Sequence, residues 1–263
     1  MFGIRKRRRR RLREAPFPPA WLAIVERNFR IFHRLEPADR AELLGHARVF
    51  LDEKKFEGCG GLAVTDEIRV TIAAQACLLL LHREPCEYYP GLVSILVYPH
   101  PYVARVRTRG PDGVVHEGDS ARLGESWTRG VLVLSWDDVI SAGRDLAHGH
   151  NVVLHEFAHQ LDQENGAVDG APVLENRGMY AAWARILSAE FESLRLDAAH
   201  GRPTDIDAYG ATNPAEFFAV VTEAFFERPL ELRRRHPALY EELRIFYRQD
   251  PAGFPVLPAS PTP

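Results

Sequence analysis

Two histidines and a glutamate lie within one strongly apolar segment, and no other feature constrains the fold of this chain as much. The segment from Asn151 to Gln163 carries apolar residues at helical spacing, which predicts a buried helix. Inside it, the run His155-Glu156-Phe157-Ala158-His159 puts two imidazoles four residues apart on one face. Polar side chains in such a helix are costly unless they are paired or bind a metal ion. The segment therefore predicts either a core helix with satisfied polar groups or a metal site.

The spacing of the two histidines favours zinc. Two imidazoles one turn apart can each direct a ring nitrogen at the same ion, and Glu156 is placed to reach a water on that ion. A catalytic zinc site also needs a third protein ligand. The extended pattern HExxHxxGxxH does not supply one, because Asp162 and Asn165 occupy the positions of its glycine and third histidine. The third ligand must therefore come from another part of the chain.

Two glutamates compete for that role on the helix predicted for Pro214 to Glu227. Glu216 also has a structural explanation, because Asn213 suits an N-cap and Glu216 then stands at the capping-box position. Glu223 lies among apolar residues, where a buried carboxylate needs a partner. The spacing alone does not decide between the two glutamates.

The order of the predicted elements indicates an α+β fold that is mainly helical, with a small mixed β-sheet. Apolar periodicity predicts helices in two groups, and β-branched runs predict strands between them. The predicted helices are 21–35, 39–51, 66–81, 151–163, 180–199, 214–227 and 230–248, the last one broken near Pro237. The predicted strands are 92–98, 102–107 and 130–136.

Composition places the chain among soluble globular proteins. Hydrophobic residues make up 46% and charged residues 26% of 263, which excludes a disordered chain, a collagen-like fibre and a coiled-coil rod. No apolar run reaches the roughly 18 residues that span a bilayer. The three cysteines form no CxxC pair, so we expect free thiols in a reducing compartment. Together with the lack of a secretory signal pattern, these features predict a cytoplasmic protein.

The two ends differ from the rest of the chain. Residues 5–13 contain eight of the 33 basic residues and no acid, which leaves 25 basic and 36 acidic residues in the body. We predict a basic disordered arm over residues 1–14, whose role is either solubility or weak attachment to nucleic acid or anionic lipid. The acidic body makes nucleic acid an unfavourable main partner. A Pro-rich flexible tail is predicted over residues 250–263.

Several long motifs resemble the Mlc titration factor A family of bacterial zinc metallopeptidases. The resemblance covers roughly residues 15–250. The motifs are GVLVLSWDDV, GHNVVLHE, HEFAHQLD, the loop Asp169-Gly170-Ala171-Pro172 and YGATNPAEFFAVVTEAFF. The resemblance implies a zincin-like peptidase domain over residues 15–249, similar to the catalytic domain of anthrax lethal factor. Its N-terminal helical part would occupy about 15–85 and its catalytic core about 86–249, with the HExxH motif on the active-site helix.

The resemblance also implies roles for individual residues. In the family pattern the third zinc ligand is a glutamate seven residues after a functional tyrosine, and Tyr209 and Glu216 have this separation. One zinc ion per chain would then be bound by His155, His159 and Glu216. Glu156 would act as general base, and Tyr209 would donate a hydrogen bond to the developing oxyanion.

Two further expectations concern the surroundings of the site. Asp162 and Glu223 are candidates for carboxylates that orient the zinc-bound histidines, and each has an alternative explanation as a surface charge or a helix cap. The strand 130–136 would form the edge of the cleft and pair with a peptide substrate.

The function implied by the resemblance is hydrolysis of peptides. Members of the family resemble aminopeptidases in their activity on small substrates, and they bind the glucose repressor Mlc and relieve repression of sugar uptake. We therefore expect a zinc aminopeptidase with a peptide as substrate and an Mlc-like repressor as a further partner. The alternative is a non-catalytic protein that titrates a repressor and carries a secondary zinc site. The presence of Glu156 favours the enzyme, because a protein that only binds has no need of a general base.

Overall fold

The computed structural model describes residues 2–83, 86–109, 115–122, 124–127, 130–145 and 149–255. Its α-helices are α1 (Phe2–Glu14), α2 (Pro19–Asn28), α3 (Pro37–Glu53), α4 (Asp66–Leu78), α5 (Trp136–Arg144), α6 (Val152–Asp162), α7 (Arg177–Ala199), α8 (Pro214–Glu227), α9 (Pro229–Arg235) and α10 (Pro237–Tyr247). Short 3-10 helices occupy Arg30–Arg34, Gln163–Asn165, Ala208–Ala211 and Pro251–Gly253.

The strands form a four-stranded mixed sheet and a separate hairpin. They are β1 (Lys55–Gly58), β2 (Ser94–Tyr98), β3 (Tyr102–Arg109), β4 (Val115–Arg122), β5 (Gly124–Trp127) and β6 (Val131–Ser135). The sheet has the order β1-β2-β6-β5, with β1, β2 and β6 parallel and β5 antiparallel to β6. Among the described strands, β3 and β4 pair with each other in a separate two-stranded sheet. The predicted α+β class, mainly helical with a small mixed sheet, is confirmed.

The order of the sheet corrects the prediction that strand 130–136 pairs with a peptide substrate. Strand β6 is paired on both sides, with β2 and with β5. The edge next to it is β5, a strand of four residues. A strand whose backbone is hydrogen-bonded to a neighbouring strand on both sides cannot pair with a further peptide. An added strand at this end of the sheet would therefore have to pair with β5.

Most helix starts follow from side-chain caps. Helices α4, α5, α6, α7 and α8 each begin after a residue whose side-chain oxygen accepts a backbone N–H three positions later. These capping residues are Thr65, Ser135, Asn151, Asn176 and Asn213. The prediction of α8 is confirmed at both ends.

Other element boundaries differ from the predicted ones. The helix predicted over 21–35 ends at Asn28, because Phe29 adopts an extended conformation with φ −134° before the 3-10 turn Arg30–Arg34. The break near Pro237 is confirmed. Strands β1, β4 and β5 were not predicted, since β1 and β5 have only four residues and show no clear alternation.

The core surrounds α6 and α8, which pack against each other. On α6, the Phe157 ring lies 5.6 Å from that of Phe50 and 4.7 Å from that of Tyr89. On α8, the Phe218 ring lies 5.6 Å from that of Trp183. All three of these ring contacts are made by buried aromatic residues of α6 and α8, so packing fixes how both helices are rotated.

The prediction of disorder over residues 1–14 is wrong for residues 2–14, which form α1. Its basic side chains find acids on α3: Arg9 Nε donates to Glu53 Oε1 at 2.7 Å, and Arg8 Nη2 donates to Asp52 Oδ1 at 2.7 Å. Leu12 packs against the core. The repulsion between neighbouring arginines is offset by these acids, which lie about forty positions away in sequence and outside any local pattern.

The Pro-rich tail is also partly ordered. Pro251 is buried, and the Ala252 N–H donates to the Tyr240 hydroxyl at 3.0 Å. The Tyr240 hydroxyl in turn donates to Asp250. The prediction of flexibility is therefore wrong for residues 250–255, and its remainder, residues 256–263, lies outside the described residues.

Two expectations about the whole chain can be compared with the structure. All three cysteines are free, as predicted. In the part of the chain that the structure describes, no helix has the length and apolar character needed to cross a membrane.

The attachment of α1 generates a prediction about stability. Burial of Glu53 disfavours its ionised form, but hydrogen bonds from Arg9 and Arg5 outweigh this and lower the pKa of Glu53 to about 2. Glu53→Gln should reduce the free energy of unfolding by about 1–2 kcal/mol at neutral pH, because it removes the anion that both arginines contact. Urea denaturation measures this change.

The same experiment has a pH dependence and a control. Because the pKa of Glu53 is lowered by folding, its contribution is complete above its ordinary value of 4.5 and is lost as the pH falls toward 2. Glu14→Gln removes an exposed acid 4.0 Å from Arg10 and should change stability by less than about 0.5 kcal/mol. Equal effects of the two variants would contradict the anchoring role of Glu53.

Candidate metal centre

The N-terminus of α6, the helix that carries both histidines, is held in place by hydrogen bonds of its capping residue. The Asn151 side chain caps the helix by accepting the Leu154 N–H at 3.0 Å, and its Nδ2 donates to Gln75 Oε1 at 3.1 Å. Asn151 itself is fully buried. Four and eight positions further on, His155 and His159 leave the helix on the same face, with ring centroids 4.9 Å apart.

Three donor atoms converge in front of this face. Glu216 Oε2 lies 3.0 Å from His155 Nε2 and 3.3 Å from His159 Nε2, and the two Nε2 atoms are 3.3 Å apart. In a tetrahedral zinc site with ligand bonds of 2.0–2.1 Å, the ligand atoms are about 3.3 Å from one another. The three atoms thus have the spacing of one face of a tetrahedral metal site, and no further histidine, cysteine or carboxylate of the described residues belongs to the group.

Helix α8 brings Glu216 to this point from its first turn. The Glu216 N–H donates to Asn213 Oδ1 at 3.0 Å, so the cap predicted from sequence is present. This cap uses only the backbone N–H of Glu216, so the carboxylate of Glu216 can turn toward the histidines.

The loop after α6 packs closely against the first turn of α8. The Gly170 N–H donates to Asp162 Oδ2 at 2.9 Å, and the Gly170 carbonyl accepts from Trp183 Nε1 at 2.9 Å. Gly170 has φ +77°, and a Cβ there would lie 2.3 Å from the Pro214 carbonyl oxygen. Only glycine fits this contact. Asp162, at the last position of α6, therefore helps to place the turn that carries Glu216.

Glu223 contacts His155 from the opposite side of the ring. Glu223 Oε1 lies 2.7 Å from His155 Nδ1, and Glu223 Oε2 accepts the Asn151 N–H at 2.5 Å. Because Glu216 faces Nε2 and Glu223 faces Nδ1, the two carboxylates cannot bind one ion together with that imidazole. Glu223 has the position of a carboxylate that orients a metal-binding histidine, which was one of the two expectations for it.

The charges of the centre are strongly coupled. Burial lowers the pKa of His155, but hydrogen bonds to Glu216 and Glu223 outweigh burial and set it at about 10. Burial raises the pKa of Glu216, but its hydrogen bonds to His155 and His159 prevail and lower it to about 2. A proton on His155 Nε2 occupies the lone pair that a metal needs, so metal binding would release this proton.

Glu156 lies beside the centre and is almost fully buried, at 5% exposure. Its Oε2 atom is buried and has no hydrogen-bond partner among the described residues. Burial raises the pKa of Glu156 above its ordinary value of 4.5. An unsatisfied buried carboxylate oxygen is uncommon, and one beside a metal site is suited to accept a proton from a bound reactant.

Tyr209 lies at the rim of the same centre. Its ring centroid is 6.0 Å from that of His155, and the residue is 56% exposed. It belongs to the 3-10 turn Ala208–Ala211, which is separated from Asn213, the cap of α8, by Thr212 alone. All five residues predicted for the site are thus brought together, namely His155, Glu156, His159, Tyr209 and Glu216.

Sequence reasoning left part of the site undetermined. It did not assign roles to Asn151, Gly170 or Trp183, although an asparagine before an apolar helix is an N-cap signal. Asp162 contacts the Gly170 N–H, while the Nδ1 atom of His159 is buried without a hydrogen-bond partner among the described residues. Asp162 therefore supports the Glu216 turn, and a role in orienting His159 stays a prediction.

A second group of metal-binding residue types exists on the surface. Of the described residues, His155, His159 and Glu216 form one such group, and Asp39, Glu42 and His82 form the other. In the second group the two ring nitrogens of His82 face different carboxylates, at 3.3 and 3.4 Å. This arrangement consists of separate contacts between one ring nitrogen and one carboxylate, whereas in the first group two imidazole nitrogens meet one carboxylate oxygen.

Comparison with known proteins gives a family match over nearly the whole chain. Residues 4–248 match the family described as glucose-regulated metallo-peptidase M90. An uncharacterized protein of Synechocystis is 45% identical over 246 residues, covering 93% of this chain and 89% of its own length. The match begins within α1, earlier than residue 15, near which the sequence resemblance was predicted to begin.

Two further relatives are named Mlc titration factor A. The protein of Serratia proteamaculans is 37% identical over 223 residues, covering 82% of this chain and 84% of its own length. The protein of Yersinia pestis is 34% identical over 227 residues, covering 85% of this chain and 83% of its own length. The family predicted from the sequence motifs is thereby confirmed.

The geometry predicts the metal content of the purified protein. We expect one zinc ion per chain by elemental analysis, and Glu216→Ala should reduce zinc affinity by more than about 100-fold because it removes a ligand. Glu223→Gln should reduce it by about 10- to 100-fold, since the group it contacts is the ligand and not the ion. A larger loss in the Glu223 variant than in the Glu216 variant would reverse the assignment.

The second surface group provides the control. His82→Ala removes the histidine of that group and should leave one zinc per chain. Loss of zinc in this variant, or two zinc ions in the wild type, would show that Asp39, Glu42 and His82 also bind metal.

Proposed function

We propose that this protein, which belongs to the glucose-regulated metallo-peptidase M90 family, is a zinc-dependent peptidase whose metal is bound by His155, His159 and Glu216. The observation that carries the proposal is the convergence of His155 Nε2, His159 Nε2 and Glu216 Oε2 at mutual distances of 3.0–3.3 Å, beside the unpartnered carboxylate oxygen of Glu156. Two imidazoles and one carboxylate are a donor set that zinc accepts in hydrolytic enzymes.

Bound zinc would supply Lewis acidity, which polarises a scissile carbonyl group and lowers the pKa of a water molecule. The residues of the chain account for the rest of the reaction. His155 and His159 hold their rings in place through α6, and Glu223 fixes the tautomer of His155 through its Nδ1 atom. Glu216 completes the set from α8 with a carboxylate that is ionised at neutral pH, because its pKa is lowered to about 2.

Glu156 moves the proton in this proposal. Its carboxylate accepts a proton from the attacking water and passes it to the leaving amine. Burial supports this role, because it raises the pKa of Glu156 and so increases its basicity. Its Oε2 atom, with no partner in the described part of the chain, is free for the water.

Tyr209 stabilises the developing oxyanion. Its ring lies 6.0 Å from that of His155, and its exposure leaves it accessible to a substrate that enters from solvent. A phenolic O–H is a suitable donor to a carbonyl oxygen that gains negative charge.

The class of substrate is the finer part of the proposal. The resemblance to the Mlc titration factor A family supports an aminopeptidase, which acts on peptides with a free N-terminus. Two substrates test this assignment, namely a dipeptide anilide and the same compound with an acetylated N-terminus. They distinguish an aminopeptidase from a peptidase that does not require a free N-terminus. Cleavage of the free compound alone supports an aminopeptidase, and equal cleavage of both contradicts it.

A second, compatible function is the binding of a transcriptional repressor. It is supported by the name Mlc titration factor A of two relatives that cover more than four fifths of this chain. If binding and catalysis use different groups, Glu156→Gln retains repressor binding while hydrolysis is lost. Loss of both in this variant would place the repressor in the catalytic cleft.

The role of Glu156 predicts the behaviour of its amide variant. Glu156→Gln should lower kcat by at least about 100- to 10,000-fold, because the amide accepts no proton at neutral pH. Zinc content should stay at one per chain, since Glu156 is not a ligand. Retained turnover in a zinc-loaded variant would remove Glu156 from the proton transfer.

The role of Tyr209 predicts a smaller effect. Tyr209→Phe should lower kcat by about 10- to 100-fold with KM nearly unchanged, because the lost hydrogen bond forms only as charge develops. Zinc content and the urea midpoint should match the wild type, since the phenol is exposed. An unchanged kcat would leave Tyr209 with a structural role only.

A further inference from the structure

The backbone turn Ala208–Ala211 contributes to the position of Tyr209. More than half of the residue is exposed, so the path of its backbone matters for where the ring lies. The next residue, Gly210, is buried, and a Cβ there would lie 3.3 Å from Leu194. The turn is closed by Thr212, whose N–H and hydroxyl both donate to the Tyr209 carbonyl, at 3.1 and 2.7 Å.

Asp207 connects this turn to the start of the metal-binding helix. Its Oδ1 atom accepts the Tyr209 N–H at 2.7 Å, which makes it the N-cap of the turn. Its Oδ2 atom lies 3.2 Å from His150 Nε2. His150 directly precedes Asn151, the cap of α6, and α6 carries His155. One carboxylate therefore contacts both the backbone of Tyr209 and the segment that begins α6.

A second contact joins the same two segments. Arg228 lies against the turn at Gly149, where a Cβ would lie 2.6 Å from its Nε atom. The Nη2 atom of Arg228 donates to the Asp205 carbonyl at 3.3 Å. The segment before Tyr209 and the segment before α6 are thus linked twice, once by a side-chain pair and once through a shared arginine.

We propose that Asp207, paired with His150, is a positioning residue that holds the Tyr209 phenol in register with the histidines of the metal centre. This inference rests on the proposed function, because it concerns the placement of the group that contacts the oxyanion. An exposed contact between a carboxylate and a basic side chain contributes only about 0–1 kcal/mol to stability. Misplacement of a reacting group by about 1 Å can nevertheless reduce turnover by 100-fold, so the effect should be seen in kcat and not in unfolding.

Substitutions at Asp207 distinguish the effect of its contact with the Tyr209 N–H from that of its contact with His150. Asp207→Ala removes both contacts and should lower kcat roughly tenfold, with KM within about twofold of the wild type. Asp207→Asn keeps a capping oxygen but loses the charge that faces His150, and its effect should be smaller and equal to that of His150→Ala. Zinc content and urea midpoint should be unchanged in all three variants.

A matched control is available on the end of α7. Asp197 Oδ1 pairs with Arg202 Nη1 at 2.9 Å, and its side chain is 33% exposed, as is that of Asp207. Asp197→Ala removes a similar surface pair whose carboxylate is not the cap of the Tyr209 turn, so kcat should not change.

A double-mutant cycle provides the decisive test. If Asp207 acts by placing the phenol, Asp207→Ala should change kcat less than twofold in the Tyr209→Phe background. A full tenfold loss in that background would overturn the inference, because Asp207 would then act without Tyr209. An active wild type with an unaffected Asp207→Ala variant would overturn it as well. Absence of hydrolysis by zinc-loaded wild type would overturn the proposed function and this inference with it.

Discussion

One carboxylate pair on α8 determines the geometry of the whole centre. Glu216 and Glu223 are seven residues apart, so they lie two turns apart on the same face of the helix. Glu216 contacts His155 Nε2 and Glu223 contacts His155 Nδ1, so a single imidazole is held from both sides by one helix. Because Glu223 also accepts the Asn151 N–H, α8 is locked to the first residue before α6. A shift of either helix along the other would leave a buried carboxylate unpaired, which is costly.

The apolar side chains of α6 and α8 offset the free-energy cost of burying the polar groups between the two helices. Phe157 on α6 and Phe218 on α8 are fully buried among other aromatic rings. The burial of such side chains contributes roughly 1.5–3 kcal/mol each, which opposes the cost of enclosing charged groups. The fold therefore holds a polar centre in its interior by surrounding it with a large hydrophobic core, and the centre need not contribute to stability in order to persist.

A feature of the fold or the site could be predicted from the sequence when the contacts that determine it are between residues close together in the chain. The helix Pro214–Glu227 was predicted at both ends because its cap and its proline are adjacent in sequence. The choice between Glu216 and Glu223 could not be made from spacing, since both point to the same side of α8, and only the distances to the two nitrogens of His155 separate them. Disorder of the basic arm was a wrong prediction for a related reason. The acids that pair with it, Asp52 and Glu53, are brought near only by the fold.

The state of Glu156 bears on whether the centre is catalytic or only structural. A metal site that merely stabilised a binding surface would require the two histidines and a third ligand, but no further acid. Glu156 is nevertheless buried to 5% exposure with one oxygen unpartnered among the described residues. Burying such a group costs free energy that glutamine or leucine at the same position would not cost to the same degree. A water that gives up its proton is the partner that this oxygen would find during hydrolysis, so a peptidase accounts for a cost that a binding protein leaves unexplained.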